Sequence, residues 1–276
     1  MSEAPPLAAV LGAPIGHSKS PILHGHWLRT MGIRGHYIPI ELGDQTFEEG
    51  IRGLQTLGFR GANVTLPFKE RAFAIADTHT DRALRIGAAN TLTFTDGRIH
   101  ADNTDSYGFL NNLQQHVPDW SAETGPALVV GAGGASRAII VGLIDAGAPE
   151  VRLANRTRAR AEQLADEFGP KISVIDWSDL TPALDGVATL VNTTSIGMGG
   201  AGELPIDLAA ADKTTVVTDI VYTPLDTPLL HAASTAGLRT VDGLGMLLHQ
   251  AVPGFEAWFG QTPVVDEALR QAILTA

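Results

Sequence analysis

A lysine stands where a cation is unwelcome. In "NVTLPFKE", Asn63 to Glu70, a strand-like apolar run ends at Asn63 and Thr65, turns through Pro67 and is followed at once by Lys69. With Pro67 read as the first residue of a helix, Lys69 falls in the first turn, where the macrodipole disfavours positive charge. Such an ammonium is either an incidental surface charge or a proton donor and oxyanion partner held there for chemistry. A second run, "GAGGAS" from Gly131 to Ser136, follows the apolar stretch "ALVV". Gly131 permits a tight turn and Gly133 lets the backbone approach a pyrophosphate, while a helix opening there offers N–H groups and positive potential. Ser136 replaces the usual third glycine, so the match is partial, and a purely structural β–α turn is the alternative.

The strand after this helix selects the cofactor. An NAD site carries an acidic residue about 20 positions on, for the ribose 2′-hydroxyl. Here the segment reads "ANRTRAR", with Asn155, Arg156, Thr157, Arg158 and Arg160 and no carboxylate. Guanidinium groups suit a 2′-phosphate through charge-assisted, bidentate hydrogen bonds. NADP is therefore preferred over NAD; the alternative is a set of solvated arginines on the next helix. Hydride transfer also needs a substrate pocket. Three polar segments earlier in the chain supply candidates: "GHSKSP" with Ser18 and Ser20 around Lys19, "GAANT" with Asn90, and "ADNTDSYG" with Asp105. The serines suit a carboxylate before a helix N-terminus, or Ser20 simply caps that helix. Asp105 likewise has a plain reading as a cap of "SYGFLNNLQQH".

These groups need elements to position them. "AAVLG" (8–12) reads as a buried strand, "SPILHGHWLRTMG" (20–32) as a helix ended by Gly32, and "GHYIPIEL" (35–42) and "GFRGANV" (58–64) as strands. "TLTFTDGRIHAD" (91–102) reads as a hairpin turning at Asp96-Gly97. From Pro126 onward, strand, glycine-rich turn, helix and strand follow in order. Further strands are expected at 188–192, 214–221 and 237–241, separated by helices such as "RARAEQLADEFG" and "TPLLHAASTAG". Repeated βα units imply a doubly wound sheet. The last segment reads as mostly helical, interrupted at Pro253. The expectation is an α/β chain: a mixed α/β domain of roughly a hundred residues, then a Rossmann-like, doubly wound domain.

Composition narrows the function classes. With 44% hydrophobic and 18% charged residues among 276, the chain is globular rather than disordered. A formal net charge of −11 argues against nucleic acid as the main ligand. The chain has no cysteine, which excludes disulfides, thiolate catalysis and cysteine-based zinc sites. There is no zinc motif such as His-Glu-x-x-His, and no catalytic metal is expected. The N-terminus lacks a basic start, and its apolar run is broken by Gly12, Pro14 and Gly16, so it does not read as a secretory signal. No stretch approaches the roughly 18 apolar residues of a membrane span. The expectation is a soluble, cytoplasmic protein with no membrane partner.

Nine segments, in order, closely resemble the shikimate dehydrogenase family: "PIGHSKSP", "NVTLPFK", "GAANT", "DNTDSYGF", "VVGAGGASRA", "NRTRAR", "NTTSIGM", "DIVYTPLDTPLL" and "DGLGMLLHQA". They span about Pro14 to Ala251. The resemblance implies NADPH-dependent reduction of 3-dehydroshikimate to shikimate, in aromatic amino-acid biosynthesis, by a substrate-binding and catalytic domain (1–105 and 246–276) and a Rossmann-like NADP-binding domain (106–245), with the C-terminal helices returning to the first. It implies that Ser18 and Ser20 hold the substrate carboxylate, that Lys69 and Asp105 are the catalytic pair, and that Thr65, Asn90, Asp105 and Gln250 bind ring hydroxyls. Tyr222 and Met198 fall on segments near the substrate and nicotinamide. The matched cofactor segments carry Gly131, Gly133, Gly134 and Ala135, then Asn155, Arg156, Thr157 and Arg160, then Thr194, Met198, Ile220, Gly243 and Met246. Arg158 is an additional basic residue with no role in the pattern. The rival readings are a quinate/shikimate dehydrogenase that uses NAD, and a catalytically idle NADP-binding sensor. "SKSP" and "NRTRAR" favour the shikimate-specific, NADP-using branch. A monomer and a homodimer are both compatible with the sequence. His17, Lys19, His24 and His249 are read as surface or packing residues.

Overall fold

The computed structural model describes residues 4–276. The chain divides into two compact units, one running to Thr104 and resuming at Leu248–Ala276, the other Asp105–Leu247. The boundaries differ from the sequence reading by one or two residues. Asp105 begins the first helix of the second unit, and the late helix that connects the units starts before residue 246.

In the first unit, strands and helices alternate: β1 (Leu7–Gly12), α1 (Ser20–Thr30), β2 (His36–Glu41), α2 (Phe47–Thr56), β3 (Gly61–Val64), α3 (Lys69–Ala74), β4 (Thr78–His79), α4 (Asp81–Ile86), β5 (Thr91–Thr95) and β6 (Arg98–Asp102). They form one sheet in the order β2-β1-β3-β5-β6-β4. β1 runs parallel to β2 and β3, whereas β5 is antiparallel to both β3 and β6. The β5–β6 hairpin turns through Asp96 at φ 53° and Gly97 at φ 72°. Two positive φ values give the turn the twist its strands need, which is why Asp-Gly occurs there. One face of the sheet buries Leu11, Phe47, Ile51, Val64, Phe68 and Leu92.

The second unit contains α5 (Asp105–His116), β7 (Ala127–Val130), α6 (Gly134–Asp145), β8 (Val151–Ala154), α7 (Arg158–Phe168), β9 (Ile172–Ile175), β10 (Thr189–Asn192), β11 (Val216–Asp219), α8 (Pro228–Thr235) and β12 (Arg239–Val241). Its sheet is wholly parallel, in the order β12-β11-β10-β7-β8-β9. The winding reverses between β7 and β10, and ligands of such sheets gather beyond the carboxyl ends of the strands at that point. Separate apolar clusters pack around Val129 and Leu153 and around Leu128 and Leu190, so β7 and its neighbours are covered on both faces. That explains their unbroken apolar sequence. The edge strand β9 has no counterpart in the sequence reading.

Two helices end the chain, α9 (Leu244–Phe259) and α10 (Glu267–Leu274). Pro253 does not interrupt the first of them, contrary to expectation. Proline costs a helix one hydrogen bond, but Leu248, Ala251, Val252, Phe255, Trp258 and Phe259 are all buried around it, and that packing outweighs the loss.

His24 on α1 proves to be a packing residue. Its ring stacks on Tyr37 at 3.8 Å between centroids and lies against Trp27, Phe255 and Trp258. Neither ring nitrogen has a hydrogen-bond partner among the described residues. Burial lowers its pKa from 6.5 to about 3, against a smaller opposing influence from Asn63. Between those values the unfolded chain binds the proton and the folded chain does not. Stability is therefore full above pH 6.5 and is lost as pH falls toward 3, at up to about 1.4 kcal/mol per pH unit. His24→Phe keeps an aromatic ring there and removes the titration. Thermal melts from about pH 7 down to about pH 4.5 are expected to fall less steeply for this variant than for the parent. Parallel curves would show that His24 is not an acid-sensitive element.

Candidate active site

The first unit gathers most of the residues expected to hold substrate. Lys69 is the first residue of α3, with Phe68 in the N-cap position. Pro67 lies in the turn before the helix and not at its first position, and the Leu66–Pro67 peptide is cis. Phe68 is 1% exposed and stacks on Phe47 at 4.5 Å, a burial of the kind worth about 1.5–3 kcal/mol. The Phe68 N–H donates to the Thr65 carbonyl, and the Lys69 carbonyl accepts from the Ala89 N–H at 2.9 Å. Lys69 is thereby pinned beside Thr65 on one side and beside the "GAANT" turn on the other.

Asn90 is the junction of a buried polar network. Its side-chain oxygen accepts from the Thr104 N–H at 2.8 Å and from the Thr91 hydroxyl at 2.9 Å. Its amide donates to Gln250 Oε1 at 3.4 Å, and the Thr104 hydroxyl donates to the Gln250 carbonyl at 2.8 Å. Asn63, which ends the strand run before Lys69, accepts from the Tyr37 hydroxyl at 2.7 Å and donates to Thr91. The Lys69 backbone thus runs beside the turn that carries Asn90, and Asn90 meets Gln250, 160 residues away in sequence. Asp105 follows Thr104 directly, is buried and starts α5.

Ser18 and Ser20 lie at the start of α1. The capping expectation for Ser20 is corrected: Lys19 holds the N-cap position without a side-chain bond, and Ser20 is the first helical residue. The Ser20 N–H donates to the Ser18 hydroxyl at 3.3 Å. Ser20 is buried, as is Tyr37, whose phenol burial pushes well above its ordinary pKa. Lys19 does not join the serines; its ammonium donates to the Ala276 carbonyl at 2.7 Å.

The cofactor residues line the carboxyl end of the second sheet. Gly131 adopts φ 118°, and a Cβ there would come within 2.4 Å of the Thr193 hydroxyl, so both conformation and space demand glycine. At Gly133 and Gly134 a Cβ would meet nothing within 4 Å. That open space, next to the uncapped N-terminus of α6, fits a pyrophosphate. Ser136, in place of the third glycine, is fully buried and returns its hydroxyl to the Gly133 carbonyl at 2.5 Å. Asn155 holds the loop, accepting from the Ala132 N–H at 3.1 Å and donating to the Thr157 carbonyl at 2.8 Å. A cavity of about 450 Å³ is lined by Asn155, Arg156, Thr157, Arg160 and Thr194, with Trp177 and Glu203. Two guanidiniums and an aromatic ring suit a 2′-phosphate and an adenine.

Models of three domains match the chain: the shikimate dehydrogenase substrate binding domain over residues 10–92, shikimate/quinate 5-dehydrogenase over 112–205, and the shikimate 5′-dehydrogenase C-terminal domain over 243–273. A relative named shikimate dehydrogenase (NADP(+)) from Paracoccus denitrificans is 56% identical over 98% of this chain and 96% of its own. The chain belongs to the shikimate dehydrogenase family. Among solved structures, the Thermus thermophilus shikimate 5-dehydrogenase in complex with NADP(H) and shikimate is 36% identical, with a TM-score of 0.86, covering 98% of this chain and 99% of that one. A 5-ketofructose reductase of a Gluconobacter strain is 29% identical with a TM-score of 0.91, covering 99% of each chain. One backbone therefore carries more than one substrate, and specificity within this family has to be argued from side chains.

Membership in the shikimate dehydrogenase family leaves Arg158 to be explained. It lies outside the cofactor cavity's lining and pairs with Glu162 at 2.8 Å and Asp176 at 2.5 Å. Met198 is 58% exposed, and Tyr222 is half-buried, which raises its phenol pKa and keeps it a neutral hydroxyl. Ile220 and Met246 are partly buried against one apolar cluster of the second unit. Gly243 is buried, and a Cβ there would come 2.5 Å from the Ile220 carbonyl oxygen. The sequence reading missed Asn192 and Asp219. Each is a polar residue closing an apolar strand run, "ATLVN" and "TTVVTD", and that abrupt change is the signal that marks them.

Proposed function

We propose that this chain is an NADP-dependent shikimate dehydrogenase that reversibly reduces 3-dehydroshikimate to shikimate in aromatic amino-acid biosynthesis. The carrying observation is 56% identity, over 98% of the chain, to a relative of that name. The arginine-lined cavity after β8 and the Asn90–Gln250 contact, with the Lys69 backbone bonded to the neighbouring Ala89, support it in this chain's own residues. The first unit takes the substrate role and the second the cofactor role.

NADPH, when bound, supplies a hydride to the carbonyl carbon. Lys69 supplies the proton at the oxygen and stabilises the developing alkoxide; in the oxidative direction it accepts the proton. Asp105 is the second member of the catalytic pair and accepts a hydrogen bond from a ring hydroxyl. Asn90, Thr65 and Gln250 hold hydroxyls, and Ser18 and Ser20 hold the carboxylate by neutral dipoles at the start of α1. Tyr222 contributes a hydroxyl toward the substrate. With this goes the reading of a cytoplasmic protein, monomeric or homodimeric, whose partner is a small molecule and not a nucleic acid. Among the described residues no helix is long and apolar enough to cross a membrane.

The NAD-bound quinate dehydrogenase of Corynebacterium glutamicum, 28% identical with a TM-score of 0.90, represents the rival activity. Initial rates with shikimate or quinate, each with NADP or NAD, separate the readings. The shikimate–NADP pair is expected to give the highest kcat/KM. A higher value for quinate with NAD would replace this reading, and NADPH binding without any turnover would make the protein a sensor.

A further inference from the structure

Asp219 ends β11 and is fully buried, yet none of its hydrogen-bond partners among the described residues is a cation. Oδ1 accepts from the Val221 N–H at 2.9 Å and from the Asn192 amide at 3.0 Å. Oδ2 accepts from the Thr227 hydroxyl at 2.8 Å. All three donors are neutral. Burial raises the carboxyl pKa, and the three hydrogen bonds offset this only in part. A buried carboxylate with neutral partners is a poor way to gain stability. Its partners sit at strand ends and in loops, which suggests what it does instead.

Asn192 ends the neighbouring strand β10 and is the register partner of Asp219. Its side chain is saturated. The oxygen accepts from the Thr194 N–H at 3.0 Å and the Thr194 hydroxyl at 2.8 Å, while the amide donates to the Ile196 carbonyl at 3.0 Å and to Asp219. Thr227 in turn accepts from the Leu230 N–H at 3.3 Å and caps α8. On another side, Gly243 packs so closely that a Cβ would lie 2.7 Å from the Asp219 carbonyl oxygen. One buried pair therefore fixes the turn that carries Thr194 and both ends of the loop that carries Ile220 and Tyr222.

We propose that Asp219 is a positioning residue for the nicotinamide half of the cofactor: with Asn192 and Thr227 it holds the 220–227 loop in its binding shape. The proposal rests on the NADP reading above. Without the carboxylate the loop loses Val221 and Thr227 together, whereas Asn192 keeps its own bonds to Thr194 and Ile196 and Asn155 keeps those of the arginine-bearing loop after β8, so both walls of the arginine-lined cavity stay supported. Loss of Asp219 thus weakens contacts to one half of the dinucleotide and spares the other.

The test compares Asp219→Ala, Asp219→Asn and Thr227→Val with the parent protein. Titrations measure dissociation constants for NADPH, by its fluorescence, and for adenosine 2′,5′-bisphosphate, which occupies only the arginine side. In Asp219→Ala the NADPH constant is expected to rise on the order of tenfold or more, with the bisphosphate constant unchanged. Asp219→Asn keeps one acceptor oxygen but offers Thr227 a second donor, so an intermediate rise is expected. Thr227→Val gives the same pattern as Asp219→Ala in a smaller degree and serves if the alanine variant does not fold. Equal weakening of both ligands would assign Asp219 a purely structural role, and an NADPH constant within about twofold of the parent in a folded variant would remove it from cofactor binding. A parent protein that binds no NADPH would instead overturn the proposed function.

Discussion

Lys69→Ala is expected to lower kcat by about three orders of magnitude while the NADPH dissociation constant stays within about twofold. A positioned general acid contributes roughly 10²–10⁴-fold, and Lys69 stands at the first position of α3, where the helix dipole opposes its charge. A cation at the first position of a helix opposes the macrodipole by about 0.3–1 kcal/mol. The anchor of that turn is Phe68, with its stack on Phe47 and its N–H on Thr65, none of which needs an ammonium. The alanine variant should therefore fold. Single-turnover reduction in the presence of saturating NADPH isolates the chemical step, and a melting curve checks the fold. A variant that turns over at close to the parent rate would leave the first-turn lysine as a surface charge.

The second large effect concerns the cofactor. The double substitution Arg156→Ala, Arg160→Ala is expected to raise KM for NADPH by about a hundredfold and to leave KM for NADH unchanged. Hydrogen bonds to charged groups contribute about 1.5–3 kcal/mol each, and every 1.4 kcal/mol or so is about tenfold. NADH has no 2′-phosphate and so loses nothing. Arg158→Ala is the internal control. Its guanidinium is committed to Glu162 and Asp176, and an exposed pair of this kind contributes little to stability. NADPH affinity should therefore be unaffected by its removal. Equal weakening of NADPH and NADH in the double variant would mean that these arginines support the loop rather than read the phosphate, and a strong effect of Arg158→Ala would place the phosphate one turn away from where it is assigned.

Much of the candidate site was legible in one dimension because short motifs carry their own geometry. Gly131 and Gly133 sit between an apolar strand and a helix, and the backbone there can take few shapes. Asp96-Gly97 specifies its hairpin turn for the same reason. The absence of a carboxylate after β8 and the presence of Arg156 and Arg160 bear directly on the 2′-phosphate, since charge type is a property of sequence. Wherever propensity was marginal the sequence was a poorer guide. β9 is a short edge strand of four residues, and Pro253 is carried inside a helix by the apolar residues around it.

The sequence by itself determined the doubly wound βα pattern, the nucleotide loop, the preference for a phosphate over a free hydroxyl, and the presence of a lysine against the helix dipole. Tertiary structure alone decided which distant residues meet: Asn90 with Gln250, Tyr37 with Asn63, and Asn192 with Asp219. It also decided that His24 is buried neutral and that Arg158 is occupied by carboxylates. The physical reason is that local conformation depends on a few neighbouring dihedrals, which motifs encode, whereas burial and hydrogen-bond partners depend on strand register and helix packing between distant segments, such as those of Asn90 and Gln250, 160 residues apart.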